Sequence, residues 1–169
     1  MPDFLDLSFD AGEACLPSPA TANHAPDDAS LAALLARTRT VAVVGLSPRP
    51  ERTSHGIGAW LQQHSPYELF WVNPKAAGQT VLGLPVYESL DALPVVPDMV
   101  DVFRRSESVP PVVDGAIAVG AMTIWMQLGV VNDEAATVAR AAGLDVIQNR
   151  CIKVEYSRLR PAIEAARKS

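Results

Sequence analysis

The chain has 169 residues, 49% of them apolar, with a formal net charge of −5 and a pI near 5.1. That is enough to bury a core without disulfide or metal staples, and the acidic balance argues against a nucleic-acid partner while leaving room for a local basic pocket. Two cysteines, Cys15 and Cys151, and three histidines, His24, His55 and His64, show no ligand spacing, so neither a disulfide framework nor a metal site is expected.

Residues 1–29 are rich in Pro, Ala and Asp, with few apolar residues beyond Phe4, Leu5, Leu7 and Phe9. They read as a mobile tail, or as one whose Phe4 to Phe9 patch docks on the body or on a partner subunit. The opening MPDFLDLSFDAGEA lacks the basic and apolar regions of a secretory signal, and no run approaches the roughly 18 apolar residues of a membrane span. A cytoplasmic protein with no membrane partner is expected.

From Ser30, read as the cap of LAALLART, helix and strand alternate through residues 30–169, taken as a single domain. VAVVG (41–45), ELFWVN (68–73), DMVDVF (98–103), MTIWMQL (122–128) and DVIQN (145–149) are short apolar strands. Helical patterns lie between them at 55–63, 110–119 and 132–142, the last two stopped by Gly120 and Gly143. A short strand at 85–87 and a turn starting at Ser89 decorate the second crossover, and a final helix at 155–167 is interrupted by Pro161. Apolar strands separated by helices imply an α/β fold, a doubly wound, Rossmann-like parallel sheet of about five main strands with helices on both faces.

In such sheets ligands bind at the carboxyl ends of the strands. The first strand is followed by Gly45, Leu46 and Ser47, then by Arg49, Arg52, Thr53 and Ser54. Gly45 lets backbone approach a ligand, and a helix starting near Ser54 offers free N–H groups to phosphate. The spacing is not the dinucleotide G-x-G-x-x-G fingerprint, and Gly56 and Gly58 fall where they permit close packing on the sheet. The second strand delivers Asn73, Pro74 and Lys75. An NAD site usually has an acidic residue there for the ribose hydroxyls, whereas a lysine suits a ribose carrying a phosphate, as in NADP or coenzyme A.

The third strand ends in Phe103, Arg104 and Arg105, an aromatic and two cations suited to adenine and phosphate oxygens. Asp101, inside that strand, needs hydrogen-bond donors or an arginine. Gln127, Leu128 and Gly129 follow the fourth strand, and Asn149, Arg150 and Cys151 the fifth. Cys151 reads either as a small residue closing the sheet or as a thiol activated by Arg150. No G-x-S-x-G elbow or paired carboxylates appear, so no catalytic residue is assigned.

VVGLSPRPERTSHG, WVNPK with VLGLPVYESL, VDVFRRSESVP, WMQLGVVNDEAA and DVIQNRCIKVE make the stretch from about Thr38 to Tyr156 resemble the coenzyme A-binding domain family. These are small Rossmann-like proteins similar to the N-terminal domain of the succinyl-CoA synthetase α subunit. The resemblance implies coenzyme A as ligand. Gly45, Leu46, Ser47, Arg52, Thr53 and Ser54 would hold the pyrophosphate and Lys75 the 3′-phosphate. Phe103 and Arg104 would enclose adenine, with Val109 as an apolar wall. It implies a non-catalytic carrier, sensor or regulatory module for coenzyme A or an acyl-CoA. The alternatives are an NADP-dependent oxidoreductase and a ligase or transferase subunit that acts only with a partner; a homodimer is also open.

Overall fold

The computed structural model describes residues 25–169; the expectations for Phe4 to Phe9, Cys15 and His24 lie outside them. Helix α1 (Asp28–Arg37) is capped by Asp27 rather than Ser30, the Asp27 carboxylate accepting from the Ser30 N–H at 2.8 Å. The helix therefore starts two residues before Ser30, which occupies the third helical position where an N-cap acceptor aims.

The chain then runs through β1 (Thr40–Val44), α2 (Thr53–His64), β2 (Glu68–Val72), β3 (Thr80–Val81), β4 (Leu84–Tyr87) and β5 (Met99–Val102). It continues with α3 (Val109–Val119), β6 (Thr123–Met126), α4 (Asp133–Ala141), β7 (Asp145–Ile147) and α5 (Ile152–Lys168). All five strands read from the sequence are present and mutually parallel, in the order β2-β1-β5-β6-β7. β4 extends them in parallel beside β2, and β3 closes that edge antiparallel to β4. β3 went unread because two residues show no periodicity.

Residues alternate between the two faces of the sheet. Val41, Val43, Trp71, Met99 and Trp125 pack under Leu31 and Leu35 of α1, Ile57 and Leu61 of α2, and Ile152, Tyr156, Leu159 and Ile163 of α5. Ala42, Val44, Val100, Val102, Ile124 and Met126 face Val113 and Ala116 of α3 and Ala135, Ala136 and Ala139 of α4. The sheet is thus covered on both sides.

The interruption expected at Pro161 does not occur: α5 is continuous through it. Pro161 and Ser157, whose carbonyl loses its usual donor, are both on the exposed side, where the lost bond costs least because solvent can hydrate a carbonyl. The buried stripe on the opposite side keeps the helix in register.

From β1 the chain moves outward to β2 and then crosses to the other side of β1 to form β5. The carboxyl ends of β1 and β5 therefore flank the switch point where an open α/β sheet leaves a crevice.

Candidate functional site

Gly45 leaves β1 with φ +92°, and a Cβ there would lie 2.2 Å from the Phe103 carbonyl oxygen. The glycine is thus demanded by the neighbouring strand end, a different reason from the ligand approach read in the sequence. Its N–H donates to the Val72 carbonyl at 2.7 Å, and the Phe103 N–H donates to Val44 at 2.8 Å, so the tips of β2, β1 and β5 are tied together.

Beyond Gly45 the loop is prearranged by its own side chains. The Ser47 N–H donates to Ser54 Oγ at 3.0 Å, the Arg49 N–H to Ser47 Oγ at 3.1 Å, and His55 Nδ1 bonds the Ser47 carbonyl at 3.0 Å. Leu46 is fully buried and packs where Gly58 leaves room: a Cβ on Gly58 would meet Leu46 Cδ1 at 2.7 Å and Trp71 Cη2 at 3.3 Å. The packing role expected of Gly58 holds. It fails for Gly56, which has nothing within 4 Å. At the start of α2, Arg52 is the N-cap residue without a side-chain cap bond; the His55 N–H donates to the Arg52 carbonyl at 3.1 Å, and the Thr53 and Ser54 N–H groups have no intrahelical acceptor.

Asn73 is buried and joins the first two loops. Its Nδ2 donates to the Leu46 carbonyl at 2.9 Å while its Oδ1 accepts from the Lys75 N–H at 3.0 Å. That second bond caps the 3-10 turn Pro74–Ala76, and the turn projects Lys75 as an exposed side chain. Across the sheet, Gly129 donates its N–H to Asn149 Oδ1 at 2.7 Å, with Asn149 at φ +58°, a conformation asparagine tolerates. Arg150 pairs with Glu155 at 3.4 Å, and its carbonyl accepts from Trp125 Nε1 at 2.8 Å.

Together these loops bound a cleft of about 1280 Å³ at the carboxyl ends of the strands. Gly45, Ser47, Arg52, Thr53, Ser54, Asn73, Lys75, Phe103, Arg104, Arg105, Gln127 and Cys151 line it. Six other residues read from the sequence do not. Leu46 and Val109 are fully buried in the core, Pro74 sets the turn that carries Lys75, and Gly129, Asn149 and Arg150 are engaged in the links just described. Ile57, Ala76, Leu128 and Val130 add an apolar lining, and Arg49 a further cation. Arg49 shares the first loop and Leu128 the loop after the fourth strand, and both were legible there; Ile57, Ala76 and Val130 look like ordinary core in sequence.

Among the described residues Arg49, Arg52, Lys75, Arg104 and Arg105 face one carboxylate in the lining, Glu51. Among the described residues none of these five cations enters an ion pair or a side-chain hydrogen bond. An acidic chain has gathered unneutralised positive charge at a helix N-terminus and a sheet crevice, the electrostatics of an anion site. Beneath the cleft, Asp101 is fully buried and pairs with no arginine. Its Oδ1 accepts from Gln127 Nε2 at 2.6 Å, and Oδ2 has no partner. Burial pushes this carboxyl up to about 7, opposed in part by the Gln127 bond. Among the described residues no cluster of three or more His, Cys, Asp or Glu could hold a metal, and no helix is long and apolar enough to cross a membrane.

A Rossmann-like sheet with a basic cleft at its switch point defines a small-molecule-binding α/β domain. Residues 39–157 match the family model described as a CoA binding domain, and the chain belongs to that family. It is 39% identical over 132 residues to the uncharacterized protein YneT of Bacillus subtilis (strain 168), covering 78% of this chain and 96% of that one. A hypothetical protein from Pyrococcus horikoshii OT3 superposes with a TM-score of 0.75 at 35% identity, covering 79% of this chain and 92% of that one. A Thermus thermophilus protein does so with 0.75 at 30%, covering 79% and 99%.

Proposed function

We propose that the protein binds coenzyme A or an acyl-CoA in this cleft and acts as a non-catalytic carrier, sensor or regulatory module. The observation that carries the reading is the convergence of five cations, unpaired among the described residues, on a crevice of about 1280 Å³ in a member of the CoA-binding domain family. The uncapped start of α2 with Arg49 and Arg52 suits the pyrophosphate. Lys75, on the separate loop after β2, suits the phosphate on the adenosine ribose, and Phe103 with Arg104 suits the adenine. The apolar residues Ile57, Leu128 and Val130 lie along the cleft with Gln127 and Cys151, a lining that fits the pantetheine arm. Among the described residues no histidine lines the cleft, and His55 spends its Nδ1 on the Ser47 carbonyl, which favours binding over acid–base chemistry.

Isothermal titration tests the reading. Coenzyme A is expected to bind more tightly than dephospho-coenzyme A, and Lys75→Ala to weaken coenzyme A by about 1.5–3 kcal/mol, roughly ten- to 150-fold, while leaving dephospho-coenzyme A nearly unchanged. Equal affinities for the two ligands would remove Lys75 from the phosphate site. Tight NADPH binding without coenzyme A binding would favour an oxidoreductase instead.

A further inference from the structure

Asp101 is an anomaly in its setting. Its register partners on β1 and β6 are Val43 and Trp125, both fully buried, and an apolar side chain would fill the position without the cost of burying a carboxyl group. Among the described residues its carboxylate accepts one hydrogen bond, from Gln127, which lies just past the end of β6, is 3% exposed and lines the cleft. An ionised carboxylate can only accept, so it compels the Gln127 amide to turn its NH2 inward. Gln127 Oε1 then accepts from no described residue, and it is not among the atoms sealed from solvent without a partner. The amide carbonyl is left to the cleft.

We propose that Asp101 is a positioning residue of the cleft, locking the Gln127 amide so that Oε1 is presented as an acceptor to an N–H or O–H donor of the bound ligand. The inference rests on the coenzyme A reading for the identity of that donor: an amide N–H or hydroxyl of the pantetheine arm. Without Asp101 the amide could rotate and offer a donor in place of an acceptor.

The test uses the whole chain at pH 8, where the carboxyl is mostly ionised. Asp101→Asn keeps the shape but, unlike a carboxylate, can also donate to Gln127 Oε1, so the Gln127 amide is no longer held with its NH2 inward. Coenzyme A is expected to bind at least tenfold more weakly while the melting temperature holds or rises, a combination that a purely structural role would not produce. Gln127→Leu should lose a comparable factor, and the double variant no more than the worse single one. Undiminished affinity in Asp101→Asn, or losses that multiply in the double variant, would overturn the proposal. A second readout needs no ligand: the side-chain amide NMR signals of Gln127, assigned through Gln127→Leu, should move markedly between the wild type and Asp101→Asn. Static signals reject the Asp101 role. If the wild type binds no coenzyme A, the ligand reading fails and these signals alone decide the role of Asp101.

Discussion

The two ends of the sheet use charge in opposite ways. At the amino end, Asp98 Oδ2 accepts from the Arg39 and Thr40 N–H groups at 2.8 and 3.2 Å, and Thr40 Oγ1 accepts from the Asp98 N–H at 2.8 Å. Arg167 donates to the Leu35 and Thr38 carbonyls at 3.3 Å, the Tyr67 hydroxyl donates to Leu35, and Arg37 pairs with Asp145. Polar side chains there close the structure. At the carboxyl end, Ser54, Asn73 and Asn149 are spent on shaping loops, while the side chains of the cations Arg49, Arg52, Lys75, Arg104 and Arg105 have no partner among the described residues. The contrast teaches that a basic residue points to a ligand only when the loop around it is already satisfied by others.

The largest expected effect lies under the cleft. Asp101 rises from 3.8 to about 7 through burial, so between those values the native state holds a proton that the unfolded chain releases. Stability should therefore fall as pH climbs through this window, by roughly 4 kcal/mol at most, and stay level above it. Urea unfolding across pH 4 to 8 should show that slope in the wild type and lose it in Asp101→Asn; identical profiles would show that the carboxyl titrates normally. Next comes Gly45→Ala, which places a methyl against the Phe103 carbonyl in a left-handed conformation. It should cost about 3 kcal/mol or more in urea unfolding, and a loss below about 1 kcal/mol would mean the strand tips are not locked together.

Smaller, and aimed at the contrast itself, is Asp98→Ala. It strands the Arg39 and Thr40 N–H groups, with a loss of about 1–3 kcal/mol of stability, while coenzyme A affinity in the same titration should match the wild type. Lys75→Ala should do the reverse, since Lys75 is exposed and holds nothing in place. An affinity change in Asp98→Ala alone would break the division between a structural and a ligand-binding end.

Much of this division was legible in the residues. The five parallel strands follow from apolar runs bounded by Gly and polar loops, and the basic character of the carboxyl-end loops from Arg52, Lys75, Arg104 and Arg105 falling in the loops that follow strands. Both signals are local in the chain, and local pattern is what periodicity and turn chemistry record. Some assignments did not survive as surface: Leu46 and Val109 occupy loop or helix-start positions in sequence yet are fully buried. The helix through Pro161 was equally hidden, because its continuity depends on a buried stripe packed beneath it.

By itself, the sequence determined the doubly wound architecture, the switch-point loops and the family, since each is written in contiguous residues. Tertiary structure alone decided which polar groups are consumed and which are free. Asn73 meets Leu46, Asn149 meets Gly129, and Gln127 meets Asp101 only after strands distant in the chain are set side by side. Whether a side chain is available to a ligand depends on the partners that folding brings within about 3 Å of it.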